Sequence, residues 1–200
     1  MSQVDELLAE HGTTYAEEAG IKLADKPQPL YRLLVLTTLL STRISAEIAV
    51  AAAKELSESG WRSPSAMRAS SWQERVDALG RAHYVRYDES TSRHLGDAAE
   101  FVEERYRGDL RRMGDAADGD PRRLEKLLAE FPRIGGTGAQ IFCREAQAVW
   151  PWLRPYFDRR ALTGAGKAGL PTDPRRLAGL VPGHELARLA AALVRVSLRR

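Results

Sequence analysis

The chain has 200 residues, of which 44% are hydrophobic, and its formal net charge is +3. This length suits one or two small domains with a hydrophobic core, and no run of about eighteen apolar residues predicts a membrane-spanning helix. The single cysteine, Cys143, excludes an internal disulfide. The first twenty residues are acidic and polar and lack the features of a signal peptide, so we expect a cytoplasmic protein.

Apolar residues recur at helical spacing along most of the chain, and no alternating pattern is long enough for a β-strand. Residues 1–20 are predicted to form one amphipathic helix, and residues 30–40 a strongly apolar, buried one. Serine, aspartate and proline at helix starts support further boundaries. The remaining predicted helices cover about 45–58, 71–80, 88–106, 121–130, 137–149, a segment from 174 and the C-terminal end, with a short one after Pro64.

Two segments are predicted to be irregular. Gly108 and Gly114 interrupt the helical pattern, and an acidic loop follows them. Residues 150–175 are rich in proline, glycine and arginine, and we expect only a turn or two of helix there, after Asp158. The sequence therefore predicts an all-α protein.

A glycine-rich turn from Phe131 to Phe142 reads FPRIGGTGAQIF. Proline ends the preceding helix, while Gly135, Gly136 and Gly138 permit positive φ and leave room for a ligand. A helix that begins near Thr137 would direct free N–H groups and the positive end of its dipole at an anion. We expect a DNA phosphate there, and the alternative is a turn that only joins two packed helices.

Charge is distributed unevenly along the chain. Residues 1–100 carry 11 Lys/Arg and 15 Asp/Glu, whereas residues 101–200 carry 19 and 12. The basic half contains the glycine-rich turn. Attraction to phosphate groups is one explanation of this asymmetry, and ordinary surface arginine is the other.

Three motifs in order resemble those of the helix-hairpin-helix (HhH-GPD) DNA glycosylases, the endonuclease III-like superfamily. The turn matches the family's Leu-Pro-Gly-Val/Ile-Gly-x-x-Thr-Ala hairpin at Phe131, Pro132, Ile134, Gly135 and Ala139. Asp158 follows in the position of the catalytic aspartate. Upstream, residues 39–45 (LLSTRIS) are similar to the family's Leu-Leu-Ser-x-Gln-x-Thr. The resemblance covers roughly residues 28–200.

The resemblance implies two helical lobes that flank a DNA-binding cleft, with the helix-hairpin-helix at their junction. Residues 21–130 would form the central helical-bundle lobe, and residues 1–20 plus 131–200 the second lobe. The implied activity is base-excision repair on double-stranded DNA, by a protein expected to be a monomer. A flipped damaged or mismatched base is released when Asp158, the implied catalytic carboxylate, stabilises the sugar cation or activates water. Its alternative role is an ordinary helix N-cap.

The same resemblance assigns roles to other residues. Those that would bind the DNA backbone are Arg133, Ile134, Gly135, Gly136, Thr137 and Gly138. Arg43 stands at the glutamine that fills the hole left by a flipped base, or else is a surface arginine. Tyr84 and Tyr87 lie in a second loop that would probe the same void.

Several positions depart from the family pattern. Thr137 replaces the lysine that forms the Schiff base in members that also cut the strand, so a monofunctional glycosylase is expected. Lys167 is expected to contact a phosphate or only solvent. One cysteine cannot hold a four-cysteine iron–sulfur cluster, and we expect neither a metal nor another cofactor. Because Arg133 replaces a glycine and Gly138 a threonine, a non-catalytic helix-hairpin-helix duplex DNA-binding protein is the alternative. A helical interaction protein that never touches DNA is a third.

Overall fold

The computed structural model describes residues 1–199, which are helical with no β-strand in that range, so the predicted all-α class is confirmed. The helices in chain order are α1 (Gln3–His11), α2 (Tyr15–Glu18), α3 (Pro27–Leu40), α4 (Ala46–Glu58), α5 (Pro64–Ala69), α6 (Trp72–Arg81), α7 (Asp88–Tyr106), α8 (Arg111–Ala117), α9 (Pro121–Ala129), α10 (Gly136–Ala146), α11 (Arg159–Lys167), α12 (Pro174–Ala178) and α13 (Leu186–Leu198). Two 3₁₀ turns cover Pro151–Leu153 and Gly183–Glu185. None of these helices meets the length and hydropathy needed to span a bilayer.

Most helices begin at a side chain that accepts a hydrogen bond from the first turn. Ser45 accepts from Ile48 N, and Asp120 accepts from Arg122 N. Ser63 and Asp173 cap α5 and α12 in the same way. These caps satisfy backbone donors that would otherwise lack a partner, which is why the starts of these helices are readable from the sequence.

The N-terminal segment differs from the single helix that we predicted. The helix α1 ends at Gly12, and α2 begins after Thr14. The reason is a capping box: Thr14 N donates to Glu17 Oε2 at 3.0 Å, and Glu17 N donates to Thr14 Oγ1 at 3.2 Å. A threonine followed three residues later by glutamate marks a helix start, so this signal was present in the sequence.

Two further segments are more helical than predicted. Gly114 does not break the chain but lies buried inside α8. After Asp158 the chain forms α11, a helix of nine residues rather than a turn or two. Packing of their small residues against neighbours outweighs the low helix propensity of glycine in both helices.

The described chain divides into two compact units. The central unit, residues 19–142, is built around α3, whose buried side chains face nearly every direction and which packs against α4 and α7. The helix α7 also packs against α5 and α6. Within this unit Phe131 stacks edge-on against Phe101, with ring centroids 4.7 Å apart.

The terminal unit contains residues 1–18 and the chain from Cys143 onward. Its core lies between α11 and α13, with α1 and α12 packed against them. The residues of this core are Val4, Ala161, Ala165, Leu177, Leu189, Leu193 and Val194. The chain passes from one unit to the other within α10, and the domain boundary that we placed at residue 131 stays a prediction.

Close packing of α11 against α13 generates a stability prediction. A Cβ at Gly164 would overlap the backbone carbonyl of Leu193, which cannot swing away as a side chain can. We expect Gly164→Ala to lower the free energy of unfolding by about 1–3 kcal/mol or more, as overpacking does. Denaturant unfolding measures this difference.

The matched control is Gly166→Ala on the same helix. An added Cβ there meets only Thr172 Cγ2, at an ordinary 3.6 Å. We expect this change to be neutral or to stabilise by up to about 1 kcal/mol, because alanine favours helix. Equal effects of the two substitutions would contradict the close contact at Gly164.

Candidate functional site

The glycine-rich turn joins α9 to α10 and is anchored by two apolar side chains. Phe131 and Ile134 are buried in the central unit. Arg133 lies between them and is exposed, as are Gly135 and Gly136 after them. The anchors fix the turn on the core of the central unit, and the residues between and after them face solvent.

The backbone reverses at Arg133 and not at a glycine. Arg133 has φ +66°, and none of the three glycines of the turn uses the positive φ that glycine permits. The left-handed residue comes immediately after Pro132. A side chain in this conformation costs about 1–2 kcal/mol, and here it faces solvent.

The three glycines of the turn have different functions. A Cβ at Gly135 or Gly136 would meet no atom within 4 Å, so these positions leave open space above the backbone. A Cβ at Gly138 would lie 2.5 Å from Ser41 Oγ. Gly138 therefore permits α10 to pack closely on the turn after α3, while the first two glycines leave the helix start accessible.

The start of α10 offers unpaired donors to solvent. Gly135 O accepts the hydrogen bond from Ala139 N at 2.9 Å, so Gly135 is the first residue of the helical pattern. The N–H groups of a first helical turn have no partner within the helix, and the helix dipole adds a partial positive charge there. Because Gly135, Gly136 and Thr137 are exposed, this helix start can accept an anion.

Three segments that the sequence singled out lie together in the central unit. The turn after α3 meets the glycine-rich turn where Ser41 approaches Gly138. The same turn contacts the loop before α7, because Thr42 Oγ1 and Tyr84 OH are 2.7 Å apart. The three loops thus form one connected surface of this unit, although they are far apart in sequence.

The predicted probing residues occupy different positions on these loops. Arg43 is exposed, and no hydrogen bond or ion pair of its side chain is found within residues 1–199. Tyr84 is completely buried, with its hydroxyl held by Thr42 and Thr91, so it anchors the loop from inside. Tyr87 is half-buried beneath the Arg86 guanidinium.

One exposed residue of this surface was missed in the sequence. Val85 is 61% exposed and lies next to the buried Tyr84. A single exposed apolar residue is common on protein surfaces, so this exposure alone does not mark a binding site, but it shows that the loop anchored by Tyr84 turns Val85 to solvent. The motif gave no signal for it, since only the burial of its neighbour shows which way the loop faces.

Cationic side chains lie near the glycine-rich turn on the side of α7. Burial lowers the pKa of His94, and the nearby charges of Arg133 and Arg93 lower it further. Arg93 also lines a polar depression with Arg86, where the acidic residues Asp88 and Glu89 balance the charge. Arg133 and Arg93 are therefore the cationic groups closest to the turn on this side.

Asp158 belongs to the terminal unit and is held on both oxygens. Its Oδ1 accepts from Ala161 N at 3.0 Å, which makes it the N-cap of α11. Its Oδ2 accepts from Arg144 Nη1 at 2.8 Å. The side chains are 4% and 3% exposed, so this is a buried ion pair. The N-cap role considered for Asp158 is therefore present, and its carboxylate is largely enclosed.

Glu145 on α10 and Gln147, which follows the helix, complete a buried polar network around Arg144. The Glu145 carboxylate accepts from Tyr15 N and Ala16 N at 3.0 and 3.3 Å, which attaches the N-terminal segment. Burial raises the pKa of Glu145 above its usual value. The Gln147 amide bonds both the N–H and the carbonyl of Tyr156, so it fixes the loop that leads to Asp158.

Lys167 is exposed and also contacts protein. Its ammonium donates to the carbonyls of Ser197 and Arg199 at 2.9 and 3.0 Å, where it caps the end of α13. The phosphate contact expected for Lys167 stays a prediction. Among residues 1–199, no group of three or more histidine, cysteine or acidic side chains is arranged to hold a metal ion.

Comparison with known proteins identifies the fold. A trapped covalent intermediate of endonuclease III with DNA, an estranged-adenine complex, has a similar structure with a TM-score of 0.52. The chains share 14% sequence identity, and the match covers 97% of this chain and 85% of that one. The chain therefore resembles the helical endonuclease III fold. No protein-family model matches the sequence, and no curated protein matches it.

The left-handed residue in the turn generates a second stability prediction. Glycine adopts the conformation of Arg133 without steric cost, so Arg133→Gly should stabilise the protein by about 0.5–1 kcal/mol after the entropy of glycine in the unfolded chain is subtracted. Arg133→Ala is the control, because it removes the guanidinium but keeps the left-handed strain. If thermal or denaturant unfolding shows alanine to be as stabilising as glycine, strain at this residue is refuted.

Proposed function

We propose that this protein binds duplex DNA and acts as a monofunctional DNA N-glycosylase of the endonuclease III type. The observation that carries the proposal is the connected surface of three loops, which presents the open start of α10 beside Arg43 and Val85. The endonuclease III-like fold supports it, because that similar structure is a complex with DNA.

In this proposal the glycine-rich turn holds the DNA backbone. The N–H groups of Gly135, Gly136 and Thr137 donate to phosphate oxygens, and Arg133 adds an ionic contact. Ile134 and Gly138 contribute from inside, since one anchors the turn and the other seats α10 on Ser41.

The neighbouring loops act on the bases. Arg43 can enter the space left by a flipped nucleotide and donate hydrogen bonds to the orphaned partner base. Val85 can wedge against the stack, with Tyr87 and the buried Tyr84 supporting its loop. Such insertion offsets part of the cost of unstacking the flipped base.

Asp158 is the proposed catalytic carboxylate. Cleavage of the base–sugar bond leaves positive charge on the sugar, which a nearby carboxylate stabilises while water attacks. The buried ion pair and the N-cap contact hold both oxygens in fixed directions, and each oxygen keeps a second lone pair. Thr137 offers no amine for a Schiff base, which favours hydrolysis without strand cleavage.

A second candidate function is duplex binding without catalysis, and the enclosure of Asp158 favours it. A carboxylate that is 4% exposed and already paired with a guanidinium has less charge to offer a sugar cation. The three-loop surface would then bind DNA alone. The two functions share the binding step and differ in whether a base is released.

Binding is tested first through Gly135. We expect salt-dependent affinity for duplex DNA, and Gly135→Val should weaken it by about tenfold or more, because the new side chain occupies the space above the α10 start. Gly80→Val on α6 is the control, since an added Cβ there also meets open space. Fluorescence anisotropy at several salt concentrations measures both. If the dissociation constant for DNA changes neither with salt concentration nor with Gly135→Val, DNA binding through this turn is contradicted.

Catalysis is tested by Asp158→Asn on a panel of duplexes that carry damaged or mismatched bases. Asparagine keeps the N-cap and loses the negative charge. We expect wild type to release one class of base, and the variant to lose at least about 10²-fold in single-turnover rate while it retains DNA affinity. Chromatography of the released base measures the rate.

Two controls accompany this experiment. Because Asp158→Asn leaves Arg144 without its counter-charge, circular dichroism must show that the variant is folded. Borohydride should trap no covalent adduct of wild type with DNA, since Thr137 cannot form one. If wild type releases nothing from the panel but still binds, the non-catalytic function replaces the enzymatic one.

A further inference from the structure

Arg144 makes the one direct ionic contact to Asp158 within residues 1–199. Nη1 donates to Oδ2 at 2.8 Å, and both side chains are almost fully enclosed. Arg159 and Arg160 follow Asp158 directly in sequence, and both are exposed. Among the described residues, neither of their side chains makes a hydrogen bond, and the backbone carbonyl of Arg159 accepts one from Thr163 Oγ1. Exposed arginines therefore follow Asp158 in sequence, but only the buried Arg144 contacts its carboxylate.

Each oxygen of the Asp158 carboxylate is held by a different contact. Ala161 N fixes Oδ1 through the N-cap, which by itself leaves rotation about the last side-chain bond. The guanidinium fixes Oδ2 from a different helix and removes that rotation. Because the backbone of Arg144 is itself bonded by the Gln147 amide, its position is set by the same network that fixes the loop before Asp158.

Arg144 cannot be explained as a phosphate contact, since its side chain is 3% exposed. It is also incompletely satisfied: Nε is buried and has no hydrogen-bond partner. A buried guanidinium with a free N–H is costly to the fold, and a leucine or methionine with good packing would avoid that cost. This cost is consistent with a role for Arg144 beyond stability.

We propose that Arg144 is a positioning residue for Asp158, which orients the carboxylate toward the reacting sugar without touching the DNA. This inference rests on the proposed glycosylase function and extends it to a residue outside the motifs. Displacement of a reacting group by about 1 Å can cost about 10²-fold in rate, so a loosened carboxylate should act slowly while DNA binding is unchanged.

The test compares Arg144→Lys, Arg144→Met and Arg144→Ala in the full chain on the lesion that wild type processes. We expect Arg144→Met and Arg144→Ala to lower the single-turnover rate of base release by about 10²-fold and Arg144→Lys to lower it less, with the dissociation constant for DNA changed by less than about twofold in each. Guanidinium ion at millimolar concentration should raise the rate of Arg144→Ala by at least about tenfold, because it fills the space left by the side chain and renews the contact to Oδ2. Lysine should lose less than methionine, since it keeps the charge.

Glu145→Gln is the matched control, a buried charge on the same helix whose carboxylate serves the N-terminal segment. It should leave the rate constant unchanged. Wild-type rates in the Arg144 variants, or rate and affinity that fall together without guanidinium rescue, would overturn the positioning role while the glycosylase function stands. If the methionine and alanine variants do not fold, Arg144→Lys alone decides by its ratio of rate to affinity. Wild type that releases no base refutes the proposed function and the positioning role together.

Discussion

The buried polar residues at the C-terminal end of α10 are the constraint on which the terminal unit depends. Arg144, Glu145 and Gln147 point to three different segments and bond each of them: Asp158, the start of α2, and the backbone of Tyr156. Burying two charges side by side is expensive unless every one has partners. What this cost achieves is the placement of three segments: one helix turn holds the N-terminal segment, the loop after α10 and the start of α11.

The start of the same helix differs from its end. There the first N–H groups have no partner within the helix, and the chain reverses at Arg133 in a conformation that glycine would adopt more easily. Two apolar anchors, Phe131 and Ile134, hold this strained turn on the central unit. A helix that is saturated with contacts at one end and open at the other is consistent with a fixed scaffold that presents its N-terminal donors to a ligand.

The sequence predicted the features that local chemistry determines. Capped starts such as Ser45 and Asp120 were readable because the capping side chain and the backbone N–H that donates to it lie within three residues of each other. The break after Gly12 was missed although its capping box was legible. Gly114 was misread because its helix is stabilised by burial, which no local pattern encodes.

The candidate site shows the same limit. Motif order placed the turn, Arg43 and Asp158, but it could not show that Ser41 touches Gly138, that Tyr84 is enclosed, or that Asp158 is paired with Arg144. Each of these is a contact between residues 14 to 97 positions apart in the chain. The most direct measurement is a crystal structure with a duplex that carries an abasic transition-state mimic. Our account predicts a phosphate on the N–H groups of Gly135 and Gly136 and an Asp158 oxygen facing the sugar mimic. A complex in which the turn lies away from the DNA and neither Asp158 oxygen reaches the sugar mimic would contradict it.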